Sequence, residues 1–330
     1  MPSSFNWLRG MIIDKKPVRE MLPRWFWPVL LGLNLLLHAP FFRLPPTAVH
    51  VWRQCNTMAV ARNFYEEGMN ILTPRVDRRN DTNGITGTQF PSYEWLVAGS
   101  YHVFGFHEML PRLLNWLISL AGISAFYYLG RQVSGSAWVG AVGAWSLSWS
   151  PEVFFHSINA LPDILALMAS VVGLFWFGRW RETRQPLWLL LSLLAVALAG
   201  LTKLQYLAVG FPIAGFVIRD IGQRRYSGGQ LVQLASYAVV AVGGPLAWYA
   251  YARDLIRTSG LADYGLKARP AASVAAGLLT IRQNMLTDMP SVLLGFGTLG
   301  LLLVGLWRLA PATCTPITRL SSRTRPCGPT

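Results

Sequence analysis

The stretch Trp25–Phe42, WFWPVLLGLNLLLHAPFF, contains no lysine, arginine or acid. As a helix rising about 1.5 Å per residue it is about 27 Å long, close to the roughly 30 Å thickness of a bilayer's hydrocarbon core. Two further runs repeat the pattern, LLNWLISLAGISAFYYL at Leu113–Leu129 and SVLLGFGTLGLLLVGLW at Ser291–Trp307. A helix in a soluble core seldom runs so far without a charge. The whole chain of 330 residues agrees, with 52% hydrophobic and 13% charged residues and a mean hydropathy of +0.35. So large an apolar surplus must face something other than water.

Working outward from these runs, eight spans are expected, at roughly 25–44, 112–130, 136–155, 161–178, 186–201, 204–218, 231–250 and 291–309. The fold class is therefore all-α and polytopic. The first apolar run follows Lys15, Lys16, Arg19 and Arg24, as a signal peptide would, but it is too long and has no small-x-small cleavage site. It reads as a retained span. With residues 1–24 as a cytoplasmic basic N-terminus, the inner pieces hold 16 of the 29 basic residues and 4 of the 15 acids. That bias is the positive-inside signal, and it points to a multi-pass protein of the inner cell membrane with a cytoplasmic N-terminus.

The net charge of +14 does not indicate nucleic acid, because the basic residues recur in short groups between apolar runs and form no single stripe. Cys55, Cys314 and Cys327 are odd in number and lack metal-ligand spacing, so neither a disulfide framework nor a zinc site is expected. The tail at 311–330, rich in Pro, Ser, Thr and Arg, is expected to be disordered. Residues 25–310 make up the membrane domain.

Residues 45–111 form a large non-cytoplasmic first loop, too long and too charged for a connector. Asn56 or Thr57 is expected to cap a short interfacial helix that runs through Glu67 and ends at Gly68. Leu96–Phe106, interrupted by Gly99, His102 and Gly105, reads as a re-entrant or interfacial segment. A second outer loop is expected from Leu255 to Pro290.

Charges at the membrane boundary are costly, and two stand out. Asp163, in Asn159-Ala-Leu-Pro-Asp, opens the fourth span next to His156, and Lys203, in Gly200-Leu-Thr-Lys, sits at the turn after the fifth. Asp163 also suits an acid stabilised by a helix dipole after Pro162, and Lys203 suits a snorkelling lysine. With the loop arginines they outline a polar pocket at the outer face, where a lipid phosphate can sit with its tail in the bilayer. Polar residues gathered there fit an interfacial enzyme better than a transporter or lipid flippase, which needs polar groups at mid-membrane. A structural subunit without a site of its own is the remaining reading.

The order of these features resembles the GT-C superfamily, in particular glycosyltransferase family 39 with its protein-mannosyltransferase and aminoarabinose-transferase relatives. The runs that carry the resemblance are Trp52-Arg-Gln-Cys-Asn-Thr, Ala61-Arg-Asn-Phe-Tyr-Glu-Glu-Gly, Gln89-Phe-Pro-Ser-Tyr-Glu-Trp-Leu, Phe104-Gly-Phe-His-Glu with Arg112, Pro162-Asp163 and Thr202-Lys203, over about residues 25–220. It implies transfer of sugar from a polyprenyl-phosphate donor to a lipid, glycan or protein acceptor, in contact with membrane lipids.

By the same resemblance Lys203 binds the carrier phosphate, Arg53 and Arg112 line the site with Arg62 among the donor-side arginines, and Asp163 supports the acceptor or a divalent metal ion. Where such proteins begin the first-loop helix with an acid, this chain has Arg53-Gln54-Cys55-Asn56, and Gln89 stands where an acid often precedes the proline. An amide is no base at neutral pH, so Glu66, Glu67 or Asp77 takes that task or the chain is catalytically impaired. It also reads as C-terminally short of its relatives.

Overall fold

The computed structural model describes residues 22–47 and 50–261, together with residues 279, 282 and 283. The expected eighth span, the tail and most of the basic N-terminus lie outside the described residues. Within them are ten α-helices, and the only β-type pairing is one bridge between Arg75 and Ile85.

Helix α1 (Phe26–His38), prolonged by a 3₁₀ turn (Ala39–Phe41), buries Phe26, Leu30, Asn34 and His38. These recur every fourth residue and form one stripe, while Leu36 and its neighbours face outward, as lipid-facing residues do. The polar members of the stripe are satisfied by neighbouring helices. Asn34 Nδ2 donates to Ser148 Oγ at 2.9 Å, Trp116 Nε1 to Asn34 Oδ1 at 2.6 Å, and His38 bonds with Ser157 at 2.7 Å.

Helix α2 (Val51–Glu67) begins about five residues before the expected cap. His50, at φ 65°, turns the chain, and its carbonyl accepts from the N–H groups of Arg53 and Gln54, so Asn56 and Thr57 lie inside the helix. Gly68 ends it, as expected, at φ 125°. The apolar segment that follows becomes α3 (Ser92–Phe104), which packs on α2 through Val60, Ala61, Phe64, Tyr93, Val97, Ala98 and Tyr101.

Helix α4 (Leu110–Ser134) covers the second expected span. The third is broken. Pro151 cannot continue a helix across Trp149 and Ser150, so α5 (Ala137–Ser148) and α6 (Pro151–Ser157) replace one continuous segment. Gly140 lets α5 close on α4, since a Cβ there would lie 2.5 Å from the Tyr127 carbonyl oxygen. Helices α7 (Asp163–Thr183) and α8 (Pro186–Thr202) then pair antiparallel. The sixth segment starts as a 3₁₀ turn (Leu204–Val209) before α9 (Gly210–Gly222).

Helix α10 (Gly228–Ser259) opens on a capping box between Ser227 and Gln230. Its 32 residues are about 48 Å long, more than a bilayer core requires. The beginning of the expected second outer loop is therefore helical, and the far end of α10 walls in the first loop. Tyr251 Oη donates to the Leu72 carbonyl at 3.1 Å, and Trp248 Nε1 to the Thr88 carbonyl at 3.2 Å. Among the described residues four segments are long and apolar enough to cross a membrane: Leu110–Ser134, Asp163–Thr183, Leu204–Gly222 and Gly228–Ser259. Phe26–Phe41 and Pro186–Thr202 are shorter apolar ones.

The loop touches α10 most closely at Gly87, where a Cβ would stand 1.8 Å from the Ala252 carbonyl oxygen. Gly87→Ala is expected to lift the loop off α10 and to destabilise the protein by about 3 kcal/mol, as overpacking against backbone does. Thermal unfolding together with limited proteolysis between residues 68 and 91 checks this. An unchanged midpoint and cleavage pattern would refute it.

Candidate active site

The junction between α6 and α7 is buried although it is not helical, with Asn159, Ala160 and Leu161 nearly inaccessible. Buried irregular backbone needs partners. Asn115 of α4 supplies them, donating through Nδ2 to the carbonyls of Asn159 at 2.6 Å and Leu161 at 2.8 Å. That clamp sets the start of α7 and so the position of Asp163, which lies in its first turn after Pro162.

Lys203 leaves α8 in an extended conformation, φ −151° and ψ 119°, and its Nζ pairs with Asp163 Oδ1. Arg53 Nη2, from the first turn of α2, donates to Asp163 Oδ2 at 3.2 Å. One carboxylate thus carries a cation on each oxygen. The Asp163 side chain is 9% exposed, against 18% for Lys203 and 27% for Arg53, so the cations look out on the open side of the cluster.

The first loop is pinned to the same place. The Phe90 N–H donates to the Leu201 carbonyl at 3.2 Å, and Ser92 Oγ bonds with Thr202 Oγ1 at 3.2 Å. This brings the first turn of α3 beside Lys203. Glu94 lies in that turn, 5% exposed, within the electrostatic reach of Arg53 and Asp163. Its Oε2 has no hydrogen-bond partner among the described residues. Burial pushes the carboxyl up to about 7, against the opposing effects of its own backbone N–H, the Gln89 side chain and Arg53. Gln89, an amide where an acid was expected, is thus a hydrogen-bond partner of an acid five residues on.

Glu94 is not among the site residues expected from the sequence. A signal was present. It is a lone acid on the face that also holds Tyr93, Val97, Ala98 and Tyr101, with no cation three or four residues away to pair with it.

The other predicted residues divide differently. Arg62 pairs with Asp77 at 3.1 Å and Glu66 at 3.9 Å, and Asn63 Nδ2 donates to Asp77 Oδ1 at 3.0 Å. Arg62 lies nine residues beyond Arg53, about 14 Å along α2. Asp77, Glu66 and Arg62 therefore form a second, largely exposed cluster. Glu67 is bound by Arg79 and by Arg75, the latter at 3.6 Å. Arg112 is 2% exposed and donates to the carbonyls of Phe41 at 2.6 Å and Pro45 at 2.8 Å, tying the end of α1 to α4.

Among the described residues no group of three His, Cys, Asp or Glu side chains is arranged to hold a metal ion. Asp163, the acid with which the resemblance would associate a divalent ion, already faces two cations, and a third positive charge does not fit there. Below it, an apolar groove of about 360 Å³ runs between α4, α7 and α8, from Leu165 and Leu198 near the cluster to Trp176 and Leu191.

The result is a helical membrane bundle with a charged cluster at one end, roofed by a helical loop, and an apolar groove that begins at Leu165, two residues beyond Asp163. The family model for dolichyl-phosphate-mannose-protein mannosyltransferase matches residues 88–249. The fold is similar to that of ArnT from Cupriavidus metallidurans in the apo state, with a TM-score of 0.53 and 18% identity over 77% of this chain and 47% of that one.

The structure of the same ArnT bound to undecaprenyl phosphate gives a TM-score of 0.50 and 18% identity, over 72% of this chain and 42% of that one. The chain thus spans less than half the length of the solved structures it matches. No curated protein matches it in sequence. Residues 88–249 are thus similar in sequence to that mannosyltransferase family model, and the fold is similar to that of ArnT.

Proposed function

We propose that the protein is a membrane glycosyltransferase that moves a sugar from a polyprenyl-phosphate-linked donor to a hydroxyl of a lipid, glycan or protein at the outer membrane face. The observation that carries this reading is the Asp163 carboxylate held between Lys203 and Arg53, with the buried Glu94 beside it. Lys203 and Arg53 bind the donor phosphate, exchanging part of their pairing with Asp163 for the phosphate oxygens. Asp163 keeps both cations aimed at the site when no donor is present. The groove between α4, α7 and α8 takes the first isoprene units of the carrier.

Transfer then proceeds as a single displacement. The acceptor oxygen forms a bond to the anomeric carbon while the bond from that carbon to the phosphate oxygen breaks. The electron pair leaves with the polyprenyl phosphate, whose added charge Lys203 and Arg53 neutralise. The acceptor proton goes to Glu94, which near pH 7 is ionised in a substantial fraction and basic enough to accept it. Asp163, paired on both oxygens, is a poorer base. The pairing of the α1 amide Asn34 with Ser148 of α5 and Trp116 of α4, which leaves it no free polar atom, favours this reading over a transport path.

Reconstituted protein given polyprenyl-phosphate donors carrying a labelled hexose or pentose tests the proposal. Release of polyprenyl phosphate in step with transfer of label to an acceptor is the expected result. Donor that binds but is never cleaved, across both sugar classes and with lipid, glycan and peptide acceptors present, would overturn it.

A further inference from the structure

The end of the bundle opposite Asp163 carries a second charged cluster. Asp220, 1% exposed, accepts from Arg181 through Nε at 2.8 Å and Nη2 at 2.9 Å, and from Tyr226 Oη at 3.0 Å. Two further guanidinium groups approach the same carboxylate without a hydrogen bond, Arg219 at 3.8 Å and Arg225 at 3.9 Å, and their side chains are 40% and 55% exposed. Three arginines around one acid leave a local surplus of positive charge, and like charges held this close repel unless an anion joins them.

Arg184 adds a fourth. Its backbone, at φ 58°, ends α7 in the left-handed region, and its guanidinium lies over the stacked rings of Tyr226, at 4.6 Å, and Trp180, at 5.2 Å. The stacking holds the group in place. Its Nη1 is inaccessible and has no hydrogen-bond partner among the described residues.

An open cleft of about 290 Å³, beginning at Pro186 two residues beyond Arg184, separates α8 from α10 and is lined also by Leu190, Leu193, Val232, Ser236 and Val240. Leu189 and Tyr237, also in its wall, belong to the same packed core as Trp180. A guanidinium cluster close to a largely apolar cleft is complementary to a molecule with a phosphate head and a hydrocarbon chain.

We infer that this end of the protein binds an anionic phospholipid, with the phosphate held by Arg184, Arg219 and Arg225 and one acyl chain lying in the cleft between α8 and α10. The two exposed guanidiniums supply charge, and the stacked Arg184 supplies a fixed direction. Occupancy would neutralise the surplus around Asp220 and brace α7, α9 and α10 against one another. This site is separate from the proposed transfer site.

The full chain in nanodiscs of phosphatidylcholine alone, and of phosphatidylcholine mixed with phosphatidylglycerol, tests the inference by thermal unfolding. Phosphatidylglycerol is expected to raise the midpoint, and the rise is expected to shrink by about half or more in the double variant Arg184→Gln, Arg225→Gln. Arg184→Lys keeps the charge but not the planar stacking, and an intermediate rise is expected should the double variant fail to fold. Inorganic phosphate added to phosphatidylcholine discs is expected to do little. An equal rise in wild type and either variant, or full reproduction of the effect by free phosphate, would overturn the proposal.

Discussion

Glu94→Gln is expected to lower the turnover of sugar transfer by about 10²–10⁴-fold while leaving donor KM nearly unchanged, the loss that removal of a general base produces. The wild-type rate should rise with pH and level off above about 7, where the buried carboxyl ionises, and that limb should vanish in the variant. Stability should move the opposite way. Burial raises this carboxyl from its ordinary 4.5 to about 7, so between those values the folded chain holds a proton that the unfolded chain has released.

Stability therefore falls as pH rises through that window, by an amount on the order of 3 kcal/mol, and is fully present only below about 4.5. Glutamine has no such proton. Its unfolding midpoint should be flat where the wild type declines, so one substitution should impair transfer and stabilise the fold at pH 8. If transfer and its pH limb both survive in Glu94→Gln, another group is the base.

Lys203→Ala is expected to cost both binding and stability. A phosphate that loses one charge-assisted partner loses about 1.5–3 kcal/mol, or roughly 10–100-fold in kcat/KM for the donor. Asp163, 9% exposed, would keep only Arg53, and breaking a buried pair from one side destabilises by about 3 kcal/mol. The double variant Lys203→Ala, Asp163→Asn separates the two effects, since neutralising the stranded acid should restore much of the stability without restoring transfer. Full activity in Lys203→Ala, or recovered activity in the double variant, would remove the phosphate role from Lys203.

The parts of this site were unequally visible in the chain. Asp163 and Lys203 stood out because each is a charge at the edge of an apolar run, where the expense of burying it is evident from composition alone. Their meeting with Arg53 spans separations of 40 and 110 residues, and no local pattern encodes it. Asp77, Glu66 and Arg62 looked equally suitable as residue types, yet α2 carries Arg62 more than two helical turns away from Arg53. Arg112 is an arginine at the right boundary, and the carbonyls of Phe41 and Pro45 engage it. Glu94 went unassigned because a glutamate in a charged loop is usually solvated, and only the packing of α3 on α2 and α7 removes it from water.

By itself the sequence determined the all-α membrane architecture and most helix positions, because hydrophobic length and the placing of basic residues respond to the bilayer, a solvent that acts on each segment separately. The break at Pro151 is local to that proline, whereas the break at Lys203, the early start of α2 and the reach of α10 depended on neighbours. The tertiary structure alone decided which charges meet and which acid is buried, since ion pairing and desolvation are set by distances between segments far apart in the chain.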